Sequence, residues 1–191
     1  MSNLPDILER SKAAGHVVFT RGAWNVNLIG VRSASREANA FDDWIHVVFK
    51  DDSGKWVDLS FECTTDPGTY WLENPSRTEG TAILKAGQYR SVWKIDLHQG
   101  SYEALCQRNG EVTVFRDNNR DSTLDMSSDS VYDGWYGINI HKAGSDSTIV
   151  NKWSAGCQVI ANAAEFEIFM AIIRKSAALH GDTFSYTLLE D

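Results

Sequence analysis

Apolar and polar positions alternate in short runs along most of the chain, which predicts β-strands as the main element. The first exception is residues 3–14, where Leu4, Ile7 and Leu8 recur at helical spacing. Asn3 precedes this apolar face and is the candidate N-cap. We therefore expect a short N-terminal helix.

The second exception lies near the C-terminus and predicts one long helix. Asn162 is the candidate N-cap, and Glu165 completes a capping-box pattern. Gly181 follows His180 and predicts the end of the helix. Apolar residues at helical spacing predict its buried face, namely Phe166, Phe169, Met170, Ile173 and Ala177.

Strands are predicted where β-branched and aromatic residues are concentrated between turn residues. These runs are residues 17–19, 24–31, 44–49, 56–63, 83–84, 89–97, 102–107, 112–116, 136–141, 158–160 and 184–189. Short turns between neighbouring runs predict hairpins. The expected pairs are 44–49 with 56–63, 83–84 with 89–97, and 102–107 with 112–116.

Two segments, residues 33–42 and 64–81, are polar or contain proline and predict loops. At 191 residues the chain is long enough to fill one core. We therefore expect a single α+β domain, mainly β, over residues 1–191. Residues 1–30 would form a helix and strand extension packed on it.

Charge and cysteine content narrow the function. The net charge of −8 disfavours a nucleic-acid surface and adhesion to anionic membranes. The sequence has no signal-peptide pattern at its start and no apolar stretch of transmembrane length, so we expect synthesis in the cytoplasm. We also expect a monomer. Three cysteines without metal-type spacing leave at least one thiol free.

One histidine and one cysteine have a spacing that predicts nucleophilic catalysis. An apolar run delivers His141, a polar loop follows, and the turn of residues 154–156 presents Cys157. Cysteine attacks carbonyl groups as a thiolate, so it needs a neighbouring base, which histidine supplies. Gly156 allows a sharp turn, so we expect the N–H groups of Gly156 and Cys157 to bind the developing oxyanion.

The predicted reaction is acyl transfer. Cys157 attacks an amide carbonyl, and His141 accepts the thiol proton and later protonates the leaving amine. Water resolves the acyl-enzyme in a hydrolase, whereas a second amine resolves it in a transpeptidase. The group that orients His141 is left open among Asn139, Asp146 and a backbone carbonyl of the following loop.

Four neighbours of this pair are candidates for supporting roles. Ser154 and Gln158 are expected to shape the turn rather than react. Tyr136 and Trp153 either wall a peptide groove or pack against the core.

The histidine and cysteine segments resemble the signature of the L,D-transpeptidase catalytic domain (YkuD-like) family. In that family a strand-borne histidine precedes a loop and a Ser/Thr-His-Gly-Cys turn. His141, Ser154, Gly156 and Cys157 match this pattern. Ala155 stands where the family usually has a second histidine.

The resemblance is specific over residues 131–160, looser over residues 60–130 and weak before residue 60. The wider sequence is similar to a compact branch associated with phage lysins. The resemblance implies a β-sandwich or barrel with one long helix after the catalytic cysteine. It also implies that the substrate is a peptidoglycan stem peptide. A phage-type endolysin acts on the cell wall in the host periplasm, so a partner protein would release it.

Alanine at position 155 favours hydrolysis over cross-linking, because its side chain cannot hydrogen-bond an oxyanion or an acyl group. An L,D-transpeptidase and a non-catalytic wall-binding or virion protein with a decayed site are the alternatives. A sortase-like transpeptidase needs an arginine after the cysteine, and Arg174 lies on the predicted helix, so it ranks lower. Arg32 and Arg90 either bind a substrate carboxylate or, as we favour, are surface charges.

One loop has calcium-type spacing. Oxygen-bearing side chains occupy positions one, three, five and nine, namely Asp117, Asn119, Asp121 and Asp125. Ser122 stands where this loop needs glycine, and Ser128 stands where it needs glutamate. A solvated turn with local hydrogen bonds is therefore favoured over a structural calcium site or a calcium-dependent interaction module. We expect no required cofactor.

Overall fold

The computed structural model describes residues 4–144 and 147–191. Eight of their strands form one closed barrel, and three form a smaller sheet beside it. Three α-helices occur in these residues, α1 (Asp6–Ala13), α2 (Thr69–Glu73) and α3 (Ala163–His180). The strands are β1 (Asn27–Arg32), β2 (Asp43–Lys50), β3 (Trp56–Thr64), β4 (Thr81–Leu84), β5 (Gly87–His98), β6 (Tyr102–Gln107), β7 (Val112–Asp117), β8 (Val131–Gly134), β9 (Ile140–Lys142), β10 (Gln158–Ile160) and β11 (Phe184–Glu190).

The barrel has the strand order β1-β11-β5-β6-β9-β10-β3-β2, and β4-β7-β8 form the smaller antiparallel sheet. Two neighbouring pairs in the barrel, β1 with β11 and β9 with β10, are parallel. The other pairs are antiparallel. The expected α+β class, mainly β, is therefore confirmed.

The barrel core connects directly to the segment around the candidate cysteine. The indole N–H of Trp93 donates to the carbonyl oxygen of Ile138 at 2.7 Å. The hydroxyl of Tyr186 donates to Oε1 of Gln158 at 2.9 Å. Because buried polar groups need partners, these bonds fix the start of β10 and the segment before β9 relative to the core.

The long helix follows the sequence prediction. The Asn162 side chain accepts hydrogen bonds from the N–H groups of Ala164 and Glu165, at 2.8 and 3.2 Å. Phe166, Phe169, Met170 and Ile173 are buried in the core cluster that fills the barrel. Gly181 ends the helix with a φ of 93°, which glycine adopts readily. The predicted cap, apolar face and end are confirmed.

The predicted N-terminal strand over residues 17–19 is wrong. The backbone N–H and C=O of Phe19 bond to the side-chain amide of Asn27 rather than to a neighbouring strand, at 2.7 and 2.9 Å. The Gln88 side chain bonds Val17 in the same way, at 3.0 and 2.8 Å. Apolar alternation could not distinguish this side-chain pairing from a strand.

Three other predictions about the strands and loops have mixed outcomes. The hairpin of β2 and β3 is confirmed. The other two predicted hairpins are wrong, because β4 and β7 pair with each other in the small sheet, whereas β5 and β6 pair in the barrel. The predicted loop over residues 64–81 contains α2. The described residues contain no helix that is long and apolar enough to cross a membrane.

Candidate active site

The Ser154 side chain builds the turn that presents Cys157. Its Oγ accepts the N–H of Gly156 at 3.1 Å and donates to the carbonyl oxygen of Cys157 at 2.8 Å. Gly156 has a φ of 117°, and a Cβ there would lie 2.3 Å from the carbonyl oxygen of Ala82. Only glycine fits this conformation and this close approach. The position of the cysteine is therefore set by the turn and by β4.

The expected oxyanion donors need one correction. The N–H of Gly156 already donates to Ser154, so this group is not available to a substrate oxygen. Among the described residues, the N–H of Cys157 has no hydrogen-bond partner. The prediction of Gly156 as a donor was wrong because the sequence could not show how tightly Ser154 closes the turn. The Cys157 N–H stays a candidate donor.

The parallel pair of β9 and β10 brings the histidine segment beside the cysteine segment. His141 pairs with Val159, and Ile140 pairs with Gln158. Extending this register by one residue places Cys157 opposite Asn139. The N–H of Asn139 accordingly points to Sγ of Cys157, with 3.5 Å between N and Sγ.

A backbone carbonyl orients the His141 ring. Its Nδ1 lies 2.9 Å from the carbonyl oxygen of Lys142. Because a carbonyl oxygen only accepts hydrogen bonds, Nδ1 must carry the proton, and Nε2 of the neutral ring is then the basic nitrogen. The hydroxyl of Tyr102 lies 3.5 Å from the same Nδ1. Among the open alternatives that the described residues include, the carbonyl of Lys142 is the one that contacts Nδ1 of His141.

Burial disfavours the charged form of both candidate side chains. Burial lowers the pKa of His141 to about 3, and the neighbouring His98 adds to this effect. Burial also raises the pKa of Cys157 to about 11, although the residue keeps partial exposure. Sγ lies 3.4 Å from the carbonyl oxygen of Gly137 and makes no hydrogen bond to His141. The resting pair is therefore a thiol and an imidazole rather than an ion pair.

His98, at the end of β5, is a member of the site that the sequence did not reveal. Its ring stacks on His141 with 4.1 Å between centroids and 21° between planes. The Asn139 side-chain amide lies 3.1 Å from Nδ1 of His98 and also accepts the N–H of Gln107 at 3.0 Å. Asn139 therefore holds His98 and does not orient His141. No sequence pattern links these residues, because barrel closure brings them together.

The remaining predicted site residues lie in different surroundings. Gln158 is buried, and its amide donates to the carbonyl oxygen of Thr65 at 3.2 Å, so it anchors the turn to the barrel. Trp153 is exposed and packs beside Gly144. Tyr136 lies under the guanidinium of Arg116. Asp146 lies outside the described residues.

Arg32 and Arg90 were expected to be surface charges, and Arg32 differs from this expectation. Arg32 is only 1% exposed and lies 2.9 Å from a carboxylate oxygen of Asp66, so its assignment as a surface charge was wrong. It also donates to the carbonyl oxygen of Leu84 at 2.9 Å, which makes it part of the core. Arg90 is exposed. Arg174 is exposed on α3 and pairs with Glu103 at 2.8 Å.

The calcium-type loop is closed by its own side chains. The Asn119 amide donates to Asp121 and Asp125 at 2.9 and 2.8 Å. The carboxylate of Asp117 accepts the N–H of Asp125 at 2.9 Å. In the part of the chain that the structure describes, no three His, Cys, Asp or Glu side chains are grouped so that they could hold a metal.

Two cavities lie near the chain segments discussed above. A cavity of about 110 Å³ is lined by Ala155 of the cysteine turn and by Arg77, Arg116 and Tyr136. A larger one, of about 670 Å³, lies between the loop of residues 35–42 and residues 147–149, and none of the candidate catalytic residues lines it. Neither cavity is lined by His141 or Cys157, and of the two the smaller one touches the cysteine turn, through Ala155.

No family model, curated protein or solved structure matches this chain. The family resemblance of the histidine and cysteine segments therefore stays a prediction. The function has to be argued from the geometry of the site.

Proposed function

We propose that this chain is a cysteine enzyme that cleaves amide bonds in peptidoglycan stem peptides through an acyl-enzyme on Cys157, as a phage-type endolysin. One observation carries this proposal. His141 and the Cys157 turn lie on adjacent parallel segments, and the Lys142 carbonyl orients the His141 ring with Nε2 as its basic nitrogen. A cysteine on a fixed turn beside an oriented histidine is the arrangement that nucleophilic catalysis requires.

The acylation step follows from these positions. Sγ of Cys157 attacks the amide carbonyl carbon while its proton moves to Nε2 of His141. The carbonyl oxygen becomes an oxyanion, for which the N–H of Cys157 is the donor in reach of the turn. The C–N bond then breaks, and the imidazolium gives its proton to the leaving amine. The product of this step is a thioester on Cys157.

Deacylation uses the same histidine. Nε2 of the neutral ring takes a proton from water as the water oxygen attacks the thioester carbon. The C–S bond then breaks, the imidazolium returns that proton to the sulfur, and the carboxylic acid product leaves. With Lys142 accepting from Nδ1, the ring keeps one orientation through both steps. Hydrolysis is proposed over transpeptidation because Ala155 offers no side-chain hydrogen bond to the acyl group.

The raised pKa of Cys157 and the lowered pKa of His141 determine when the proton moves. A resting ion pair is disfavoured because burial penalises both charged forms. We therefore propose that the thiol proton moves to His141 while the S–C bond forms, so that a free thiolate does not have to form first. Hydrogen bonds at catalytic sites are often long before the substrate binds, which agrees with the absence of a direct Cys157–His141 bond.

The substrate class rests on the family resemblance of residues 131–160 and not on the geometry. A second candidate function is a wall-binding or virion protein with an inactive site. The neutral pair without a thiol–imidazole hydrogen bond is the observation that favours it. These two functions differ in whether the thiol is needed.

The deciding experiment is mass spectrometry of Gram-negative sacculi after incubation with the purified protein. We expect the wild type to release shortened or uncross-linked stem peptides, and Cys157→Ala to release none. Cys63→Ala is the matched control, because Cys63 is fully buried on β3 and should leave the products unchanged. New cross-links would indicate transpeptidation. Unchanged sacculi that still bind both Cys157→Ala and wild type would favour the binding protein.

A further inference from the structure

A small cavity with two arginines lies directly beside the cysteine turn. It has a volume of about 110 Å³, and Ala155, two residues before Cys157, forms part of its wall. Arg116, Arg77 and Tyr136 form the opposite lining, together with Trp71 and Ser76. One water occupies about 30 Å³ in the liquid, so the cavity has room for a group of a few heavy atoms. Ala155, and Ala82 whose carbonyl oxygen packs against Gly156, connect this cavity to the cysteine turn.

Arg116 is held in place before any ligand binds. Its Nη1 donates to the carbonyl oxygen of Gly80 at 2.8 Å, and its guanidinium lies 4.7 Å from the centre of the Tyr136 ring. A guanidinium has five N–H donors, so most of them stay available after the bond to Gly80. Because Arg116 is already held in one conformation, less side-chain entropy is lost when a ligand binds.

Neither arginine of this cavity forms a salt bridge among the described residues. The ion pairs in the structure involve Arg10, Arg32, Arg108 and Arg174, but not Arg77 or Arg116. Glu79 lies in the same region: hydrogen bonds, including one from Thr78, lower the pKa of its carboxyl most, and the charges of Arg116 and Arg77 lower it further, although neither arginine forms a salt bridge with it. Two arginines and the one carboxylate of Glu79 leave an excess positive charge at this cavity, in a chain whose net charge is −8.

We propose that Arg116, with Arg77 at the rim, binds a free carboxylate of the substrate peptide and so selects peptides that carry one close to the scissile amide. This inference rests on the proposed function, because it gives that site its substrate preference. A planar carboxylate matches the fork of a guanidinium and accepts two N–H bonds at once. The small Ala155 side chain keeps the cavity open, and a larger side chain at this position would occupy it.

The test measures binding in the Cys157→Ala protein, so that chemistry cannot interfere. Acetyl-D-alanine, its amide and inorganic phosphate are titrated separately and followed by NMR. We expect acetyl-D-alanine to shift the Arg116 Nε–H and the Ala155 backbone N–H. Its amide should bind at least roughly tenfold more weakly, because it lacks the charge that strengthens hydrogen bonds to arginine. Equal binding of acid and amide would overturn the proposal.

Variants assign the effect to Arg116. Arg116→Gln and Ala155→Leu should each weaken acetyl-D-alanine binding roughly tenfold or more, and Arg116→Lys should lie between Gln and wild type. Arg90→Gln is the matched control, because Arg90 is exposed on β5 and does not line the cavity. Acetyl-D-alanine binding that is unchanged in Arg116→Gln would contradict the proposal. Phosphate binding as tight as acetyl-D-alanine binding would show a general anion site and overturn the peptide assignment.

The outcomes distinguish the two proposals. Carboxylate binding at Arg116 without any cleavage of sacculi would remove the proposed enzyme activity and leave the carboxylate site. Cleavage that shows no preference for a free carboxylate, together with equal binding of acid and amide, would remove the site and leave the activity.

Discussion

At the scale of single residues, the site is defined by how burial acts on His141 and Cys157. The ring of His141 is buried against His98 and fixed by the Lys142 carbonyl, whereas Cys157 keeps partial exposure. The backbone N–H of Asn139 is the group that meets the sulfur. The surroundings of His141 and Cys157 therefore disfavour the charged form of both side chains.

The buried imidazole of His141 makes the stability of the fold depend on pH. Its pKa is about 3 in the folded chain against an ordinary value of 6.5, because burial disfavours the charged ring. Between these two values the unfolded state binds one more proton than the native state. The contribution of His141 to the free energy of unfolding is therefore fully present above pH 6.5 and is lost as the pH falls toward 3.

On lowering the pH from 8 to 5, we expect the buried His141 to lower the free energy of unfolding by about 2 kcal/mol. Urea unfolding of wild type and His141→Gln at both values measures it. The variant should lose less stability on acidification by that amount, whatever its stability at pH 8. Equal losses in the two proteins would contradict the buried neutral ring.

At the scale of elements, the cysteine turn depends on its contact with β4. Gly156 combines a left-handed φ with a close approach to the Ala82 carbonyl, and Ser154 bonds both sides of the turn. The turn is thus part of the link between the barrel and the small sheet. A change here should affect stability and catalysis together.

Gly156→Ala is expected to destabilise the fold by roughly 1–3 kcal/mol more than Gly54→Ala, because only the first adds a steric clash. Both glycines have positive φ, at 117° and 79°, but a Cβ at Gly54 has no atom within 4 Å. Denaturant unfolding gives the two stabilities, and the sacculi assay should show loss of cleavage for Gly156→Ala alone. Equal destabilisation by the two variants would contradict the tight packing of the turn.

At the scale of the whole molecule, barrel closure assembles a site from distant parts of the chain. The strand, loop and turn that carry His141 and Cys157 are close in sequence, so their spacing alone could suggest the pair. His98 on β5 reaches His141 through the pairing of β5, β6 and β9, and Arg116 on β7 reaches the cysteine turn through its pairing with β4. Two of the three predicted hairpins failed because β4 pairs with β7 in the small sheet, whereas β5 pairs with β6 in the barrel, and turn residues do not specify which neighbouring strand is the partner.

The ends of α3 were predicted because their signal is local, whereas α1 is preceded by Pro5 and its predicted cap, Asn3, lies outside the described residues. Asn162 and Gly181 mark the ends of α3 through side-chain and backbone chemistry that involves only nearby residues. By contrast, the use of the Gly156 N–H by Ser154, and the burial of Arg32 against Asp66, depend on the folded arrangement. These features could not be read from residue types and spacing.

The central claim is that Cys157 carries a covalent acyl group. Intact-protein mass spectrometry tests it most directly, on enzyme mixed with muropeptides and quenched in acid during turnover. We predict an added mass equal to the acyl part of the stem peptide, mapped to Cys157 and absent from Cys157→Ala. An unmodified wild type during turnover, together with cleavage by Cys157→Ala, would contradict the account.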